Sequence, residues 1–129
     1  METMDTLKMY IDENSILECP DGCGMQPTRN ALWFLLSLAR ESYTKFNKKL
    51  SITSGARCFA HNKSVGGVAN SAHTKGLAFD VHYDNSKETY LILQHLYKMG
   101  VPRIGINFNQ KFVHFDIDST LPQGVLFKY

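Results

Sequence analysis

The chain has 129 residues, 43% of them hydrophobic and 20% charged, a composition typical of one compact globular domain. Lysine and arginine number 14 against 12 acidic residues, so the net charge of +2 is too small to indicate a basic face for nucleic acid. The longest apolar run is far shorter than the roughly 20 residues that a membrane-spanning helix needs. Neither nucleic acid nor a membrane is therefore expected as a partner.

The amino-terminal part, residues 1–26, is expected to be irregular, because it ends in a turn-rich stretch of proline, glycine and cysteine. Its first ten residues are polar and acidic, without the apolar stretch of a secretory signal peptide, so no such signal is expected. Three cysteines are an odd number in a chain without a signal, and a disulfide framework is therefore not expected either.

The rest of the chain predicts an α+β domain in which a small antiparallel sheet packs against helices. Apolar residues recur at three- and four-residue spacing from Thr28 to Phe46, which predicts a long helix. Further patterns predict strands at 50–53 and 77–83, a second helix at 87–99 and a β-hairpin at 103–117. The stretch 54–75 lacks periodicity and is rich in glycine, serine and histidine, which is typical of a functional loop.

Histidine and aspartate occur at two places in a pattern that suits a metal site. His73 and Asp80 are seven positions apart, and His114 lies on the second strand of the predicted hairpin. Two histidines and one carboxylate leave a fourth position open for water, as in catalytic zinc sites. Asp116 shares the strand face of His114, although such polar residues can also simply solvate an exposed sheet face.

The motifs around these residues resemble a known enzyme family. The central motif runs from Ser71 to Asp80 and reads Ser-x-His-x-x-Gly-x-Ala-x-Asp. The flanking motifs are Ser54-Gly55-Ala56-Arg57, His61-Asn62, Gly66-Gly67 and Val113-His114-Phe115-Asp116. In this order they resemble the zinc D-alanyl-D-alanine carboxypeptidase and L-alanyl-D-glutamate endopeptidase family. These small peptidoglycan metallopeptidases of phages and bacteria share a fold with hedgehog signalling domains.

The resemblance implies a ligand set and two substrate-binding residues. His73, Asp80 and His114 would hold one Zn²⁺ per chain. Arg57 would bind or polarise the substrate, as suits a planar fork of fixed charge, or else be a surface arginine. Ser71 would hydrogen-bond the substrate backbone, or else order its own loop.

The general base departs from the family pattern. Many members place a glutamate or aspartate three residues before the last zinc histidine, where this chain has Lys111. Asp116 is the predicted catalytic substitute, and its alternative role is to support a ligand imidazole. His82, two residues after Asp80, is predicted to bind substrate, by donating a proton to the leaving amine or by lining the pocket.

The cysteines allow a second metal site. Cys19 and Cys23 stand four apart, and Cys58 with His61 forms Cys-x-x-His, so together they could bind a structural zinc. Reduced thiols without a metal are the preferred interpretation, because no rule of spacing joins the two halves.

The sequence thus predicts a monomeric zinc peptidase that cleaves stem or cross-link peptides of peptidoglycan, with the bond left open. Without a signal peptide, the protein is expected to be made in the cytoplasm and to reach the wall after release, as a phage endolysin does, or within a virion. Two alternatives stay open. One is a non-catalytic, zinc-containing wall-binding module of the same fold, and the other is a peptidase or amidase with an unrelated substrate.

Overall fold

A five-stranded sheet flanked by helices forms the core of the computed structural model, which describes residues 2–129. The helices are α1 (Glu2–Leu7), α2 (Arg29–Phe46), α3 (Phe59–Ser64) and α4 (Ser86–Lys98). The strands are β1 (Ser51–Ser54), β2 (Ala78–His82), β3 (Arg103–Asn107), β4 (Phe112–Asp116) and β5 (Val125–Lys128). The predicted α+β class is confirmed.

The two long helices begin and end where their sequence signals predict. Thr28 caps α2, since its Oγ1 accepts a hydrogen bond from the backbone N–H of Ala31 at 3.1 Å. Asn85 caps α4 in the same way, by accepting from the N–H of Glu88 at 3.0 Å. Gly100, with a φ of +73°, provides the left-handed turn that follows α4.

The sheet has the strand order β1-β2-β4-β3-β5. It is a mixed sheet, whereas the sequence predicted an antiparallel one. Its first four strands pair antiparallel, whereas β5 runs parallel to β3. The tail after Pro122 is too short for a recognisable pattern, so β5 was not predicted. Its pairing depends on a contact between distant parts of the chain, because the N–H of Gly124 bonds the carbonyl of Pro102 at 2.7 Å.

Two stretches that were expected to be irregular contain short helices. Residues 2–7 form α1, and Leu7 is fully buried in the core. The loop 54–75 contains α3 and a 3₁₀-helix at Ala72–Lys75. Helices of four to six residues make two turns at most, so they carry no periodicity that a sequence pattern could show.

The two faces of the sheet have different environments. Phe79, Val81, Val113 and Phe115 point into the hydrophobic core, which buried residues of α2 and α4 complete. Side chains alternate along a strand, so the residues between them face the opposite way.

None of the helices within residues 2–129 combines the length and apolar character that crossing a bilayer requires.

Candidate metal centre

The register of the sheet places one row of residues side by side on the face away from α2 and α4. Ser54 pairs with Asp80, Asp80 with His114, His114 with Gly105, and Gly105 with Phe127. A Cβ atom on Gly105 would lie 2.3 Å from the ring of Phe127, so this glycine lets the aromatic ring lie over the strands. The row thus brings the three polar side chains of Ser54, Asp80 and His114 together with the aromatic ring of Phe127.

Three metal-ligand side chains meet at the middle of this row. His73, from the 3₁₀-helix, approaches Asp80 Oδ1 through its Nε2 at 3.2 Å. His114 approaches the same oxygen through its Nδ1 at 2.9 Å. The three ligand atoms lie within 4.8 Å of one another, and all three residues are buried. The predicted ligand set is therefore brought together by the fold.

The hydrogen bonds of the two imidazoles show that this cluster fits a cation. His73 Nδ1 lies 2.7 Å from the carbonyl oxygen of Gly55, and His114 Nε2 lies 2.7 Å from Asp116 Oδ2. Both partners are acceptors, so each of these nitrogens carries the proton in the neutral ring. His73 Nε2 and His114 Nδ1 then present lone pairs toward a carboxylate oxygen. In this state three acceptors face one another, an arrangement that a cation held between them would satisfy, and the donor set suits Zn²⁺.

The protonation behaviour of the buried groups agrees with this view. Burial raises the pKa of Asp80, but its contacts with His114 and His73, which are favourable when the imidazoles are protonated, outweigh burial and hold the pKa well below its usual range. Burial lowers the pKa of His114, but its contacts with Asp116 and Asp80 outweigh that effect and raise the pKa. The site therefore favours a negative carboxylate next to positive charge.

Asp116 lies behind His114 and is completely buried. Its Oδ2 faces His114 Nε2 and accepts a hydrogen bond from Arg103 Nε at 3.1 Å. Its Oδ1 accepts from the backbone N–H of Asp118 at 3.1 Å and lies 3.0 Å from the same Arg103 nitrogen. Both carboxylate oxygens are thus engaged with the protein. Sequence reasoning did not identify Arg103, since it lies on another strand and belongs to none of the motifs.

Arg57 lies on the other side of Asp80 and is held at both ends of its guanidinium group. Its Nε donates to Ser54 Oγ at 2.9 Å, and its Nη1 donates to Asn62 Oδ1 at 3.1 Å. Its Nη2 is 3.6 Å from Asp80 Oδ2. Asn62 is itself buried and donates to the carbonyl of Val68 at 2.8 Å. The half-buried Arg57 therefore has a fixed orientation next to the three ligand atoms.

Gly67 explains why a glycine pair follows α3. A Cβ atom at this position would lie 2.1 Å from Oδ1 of Asn62, the atom that accepts from Arg57. Gly66 has a φ of +75°, which turns the chain at the same place. The pair therefore allows the loop to pack closely against the support of Arg57.

These residues surround an open cavity of about 830 Å³. His73, Asp80, His114 and Arg57 give it a polar floor, and Val65, Val68, Phe127 and Tyr129 are among its apolar lining residues. Burial and the negative charge of Asp80 raise the pKa of Tyr129, so its phenol stays protonated. A cavity of this size with convergent polar groups is typical of a binding site for a small ligand.

Three other residues singled out in the sequence lie elsewhere or make local contacts. Ser71 lines the cavity, and its Oγ accepts from the N–H of His73 at 3.2 Å, so it caps the 3₁₀-helix. His82 bonds Asp84 through its Nε2 at 2.8 Å and is not among the residues that line the cavity. Lys111 lies in the turn between β3 and β4 with a φ of +56°.

Comparison with known proteins gives one family. The model of the family described as Peptidase M15 matches residues 13–116, a range that contains every residue lining the cavity except Leu121, Phe127 and Tyr129. A search of curated proteins gave no match.

Proposed function

Because the chain belongs to the peptidase M15 family, we propose that it is a zinc-dependent peptidase that cleaves stem or cross-link peptides of peptidoglycan. One observation carries the proposal. His73 Nε2, Asp80 Oδ1 and His114 Nδ1 converge at the floor of a cavity, next to a fixed guanidinium group. These three atoms would hold the zinc ion and leave a further coordination position toward the cavity.

Zinc, when bound, supplies Lewis-acid chemistry that polarises a peptide carbonyl and acidifies water. The chain's own residues supply the rest. Arg57 presents Nη2 beside the ligand atoms, while Ser54 and Asn62 hold its other nitrogens. We propose that it binds the carboxylate of the substrate or the negative charge that develops on the carbonyl oxygen.

For Asp116 we propose the supporting role rather than that of general base. A general base needs an oxygen that reaches the attacking water, but both oxygens of Asp116 are hydrogen bonded inside the protein. Its contact with His114 keeps the proton on Nε2, which directs the Nδ1 lone pair toward the metal position. Arg103 fixes the carboxylate in turn.

Asp116→Asn tests this role. An asparagine amide has one accepting oxygen where the carboxylate has two, so it cannot satisfy His114, Arg103 and the N–H of Asp118 together. The His114 ring should lose its fixed orientation, and zinc affinity and peptidase activity should fall together by about 10- to 100-fold. Zinc affinity is measured by competition with a chromophoric chelator. The matched control is Asp118→Asn, a buried aspartate paired with Lys75 at 2.7 Å that does not contact the imidazoles. Unchanged zinc affinity together with lost turnover would instead make Asp116 the general base.

Gly67→Ala tests the support of Arg57. The new Cβ displaces Asn62 from Nη1 of Arg57, so activity should drop on the order of 10- to 100-fold, as expected for a small misplacement of a catalytic group. Zinc content should not change. The control is Asn62→Ala, alone and combined with Gly67→Ala, because the glycine matters only while Asn62 is present. Additive losses in the double variant would show that Gly67 acts by another route.

Peptidoglycan digestion tests the proposed function directly. Purified protein is incubated with peptidoglycan with and without a zinc chelator, and released fragments are identified by mass spectrometry. Release that the chelator blocks is expected. A fragment that has lost a terminal D-alanine indicates a carboxypeptidase, whereas a cut between L-alanine and D-glutamate indicates an endopeptidase. Release that is insensitive to chelator, or turnover of ordinary L-peptides instead, would contradict the proposal.

A second candidate function is a zinc-containing module that binds the wall without cutting it. One observation favours it: within residues 2–129, the carboxylates lining the cavity are Asp80 and Asp116, and Lys111 occupies the usual position of the base. A protein that keeps zinc and retains wall fragments but releases no peptide from several wall types would select this function.

A further inference from the structure

The three cysteines of the chain meet Asp21 in a second cluster of ligand atoms, separate from the site described above. Cys19 Sγ lies 3.1 Å from Asp21 Oδ1, and Cys58 Sγ lies 2.8 Å from Asp21 Oδ2. Together with Cys23 Sγ, the four ligand atoms lie within 4.8 Å of one another. We propose that Cys19, Asp21, Cys23 and Cys58 bind a second, structural zinc ion.

The donor set is suited to zinc. Three thiolates and one carboxylate oxygen complete a four-coordinate site without an open position, which is the arrangement of structural zinc. Soft sulfur ligands favour zinc over magnesium or calcium. The three thiols are free, and an odd number of thiols cannot all be joined by disulfides within one chain. A metal ion is the cross-link that uses all of them.

The backbone shapes this cluster before any metal binds. The N–H of Cys19 bonds the carbonyl of Met25 at 2.9 Å and closes a loop over residues 19–25. Gly22 and Gly24, with φ values of +83° and +85°, flank Cys23 and turn its side chain back toward Cys19. Loop residues 20–24 are exposed, so little apolar burial holds them in this conformation. A metal cross-link would hold the loop instead.

Backbone donors also point at two of the sulfurs. The N–H of Cys58 lies 3.3 Å from Cys19 Sγ, and the N–H of His61 lies 3.4 Å from Cys58 Sγ. Such donors stabilise the negative charge of a metal-bound thiolate and orient it. His61 therefore contributes its backbone, whereas the sequence suggested its imidazole as the fourth ligand. Asp21 takes that place.

The proposed ion would join the loop 19–25 to the segment that carries Arg57. Cys58 follows Arg57 directly and caps α3, the helix on which Asn62 lies. The backbone N–H of Arg57 is bonded to the carbonyl of His73 at 3.0 Å. The second zinc would thus fix the start of α3, and with it the arginine and its asparagine support, without contacting substrate.

Metal content tests the proposal. Wild-type protein, purified with a phosphine reductant so that no disulfide forms, should contain two zinc ions per chain by inductively coupled plasma mass spectrometry. Cys23→Ser/Cys58→Ser and His73→Ala/His114→Ala should each contain one. Asp21→Ala should lose the second ion more readily to a competing chelator. Its matched control is Asp12→Ala, because both aspartates accept from a backbone N–H two residues later.

Alkylation of the wild-type protein gives a readout that does not depend on whether the variants fold. Cys23 is exposed, so burial cannot protect it from iodoacetamide. In the zinc-loaded protein its alkylation should be slow, and chelator should make it fast. Rapid alkylation of Cys23 in zinc-loaded protein would overturn the proposal. So would a wild-type protein with one zinc ion per chain, if the Cys23→Ser/Cys58→Ser variant keeps that ion. If the cysteine variant instead holds no zinc while Cys23 is protected, the first site fails and the second stands.

Discussion

Replacing His114 with alanine is expected to remove one zinc ion per chain and to abolish peptide cleavage. The change deletes the Nδ1 ligand and leaves Asp80 and Asp116 buried without their imidazole partner. The loss of activity should therefore exceed the ~100-fold that removal of a supporting group costs. Zinc content and release of peptides from peptidoglycan are measured on the same preparation.

The matched control for this variant is His95→Ala. His95 lies on α4 and contacts Ser37 Oγ at 2.9 Å, outside the cavity, so its removal should leave zinc content and cleavage unchanged. His73→Ala should behave as His114→Ala does, since His73 Nε2 faces the same oxygen. A His114→Ala protein that is folded and still cleaves at the wild-type rate would end the proposal of a zinc hydrolase.

Arg57→Ala is expected to reduce kcat/KM by about 100- to 1,000-fold, the usual cost of one group that stabilises developing negative charge. Zinc content should stay at the wild-type value, because Arg57 does not belong to the ligand set. A loss in kcat indicates that Arg57 acts on the transition state, whereas a rise in KM indicates that it binds the substrate carboxylate.

Two further variants sharpen this result. Arg57→Lys should recover little activity, because all donors of a lysine ammonium lie on one nitrogen. That nitrogen cannot occupy the separate positions from which Arg57 contacts Ser54, Asn62 and the cavity. Arg29→Ala, at the exposed start of α2, controls for the loss of a positive charge. If zinc is lost together with activity in Arg57→Ala, the arginine positions Asp80 instead of acting on substrate.

The sequence predicted those elements whose signals are local. The apolar spacing of α2 and α4 and their capping residues Thr28 and Asn85 place both helices within a residue or two. β5 could not be predicted in this way. It depends on the space that Gly105, on β3, leaves for the ring of Phe127, about 20 residues later in the chain. Contacts of this kind have no periodic pattern in one segment.

The residues of the candidate site likewise include some that have a local sequence signal and others that have none. The order of motifs identified His73, Asp80 and His114, which the register of β2 and β4 then brings together. The engagement of Asp116 with Arg103 depends on pairing between strands and has no counterpart in spacing. Asp21 did have a signal, since a carboxylate stands between Cys19 and Cys23 in the sequence, although the predicted cysteine site included His61 in its place.

Strands β2 and β4 carry residues of the hydrophobic core and the proposed metal ligands at alternate positions. Phe79 and Val81 flank Asp80, and Val113 and Phe115 flank His114. A one-residue insertion in either strand would turn its ligand toward the helices and an apolar side chain toward the cavity. Strand length must therefore stay constant while this chemistry is kept. The loop around Val65 and Val68 has no such alternation, but Gly67 and the carbonyl of Val68 pack against Asn62. Changes in substrate preference are therefore expected there as substitutions of the two valines that line the cavity, at constant loop length.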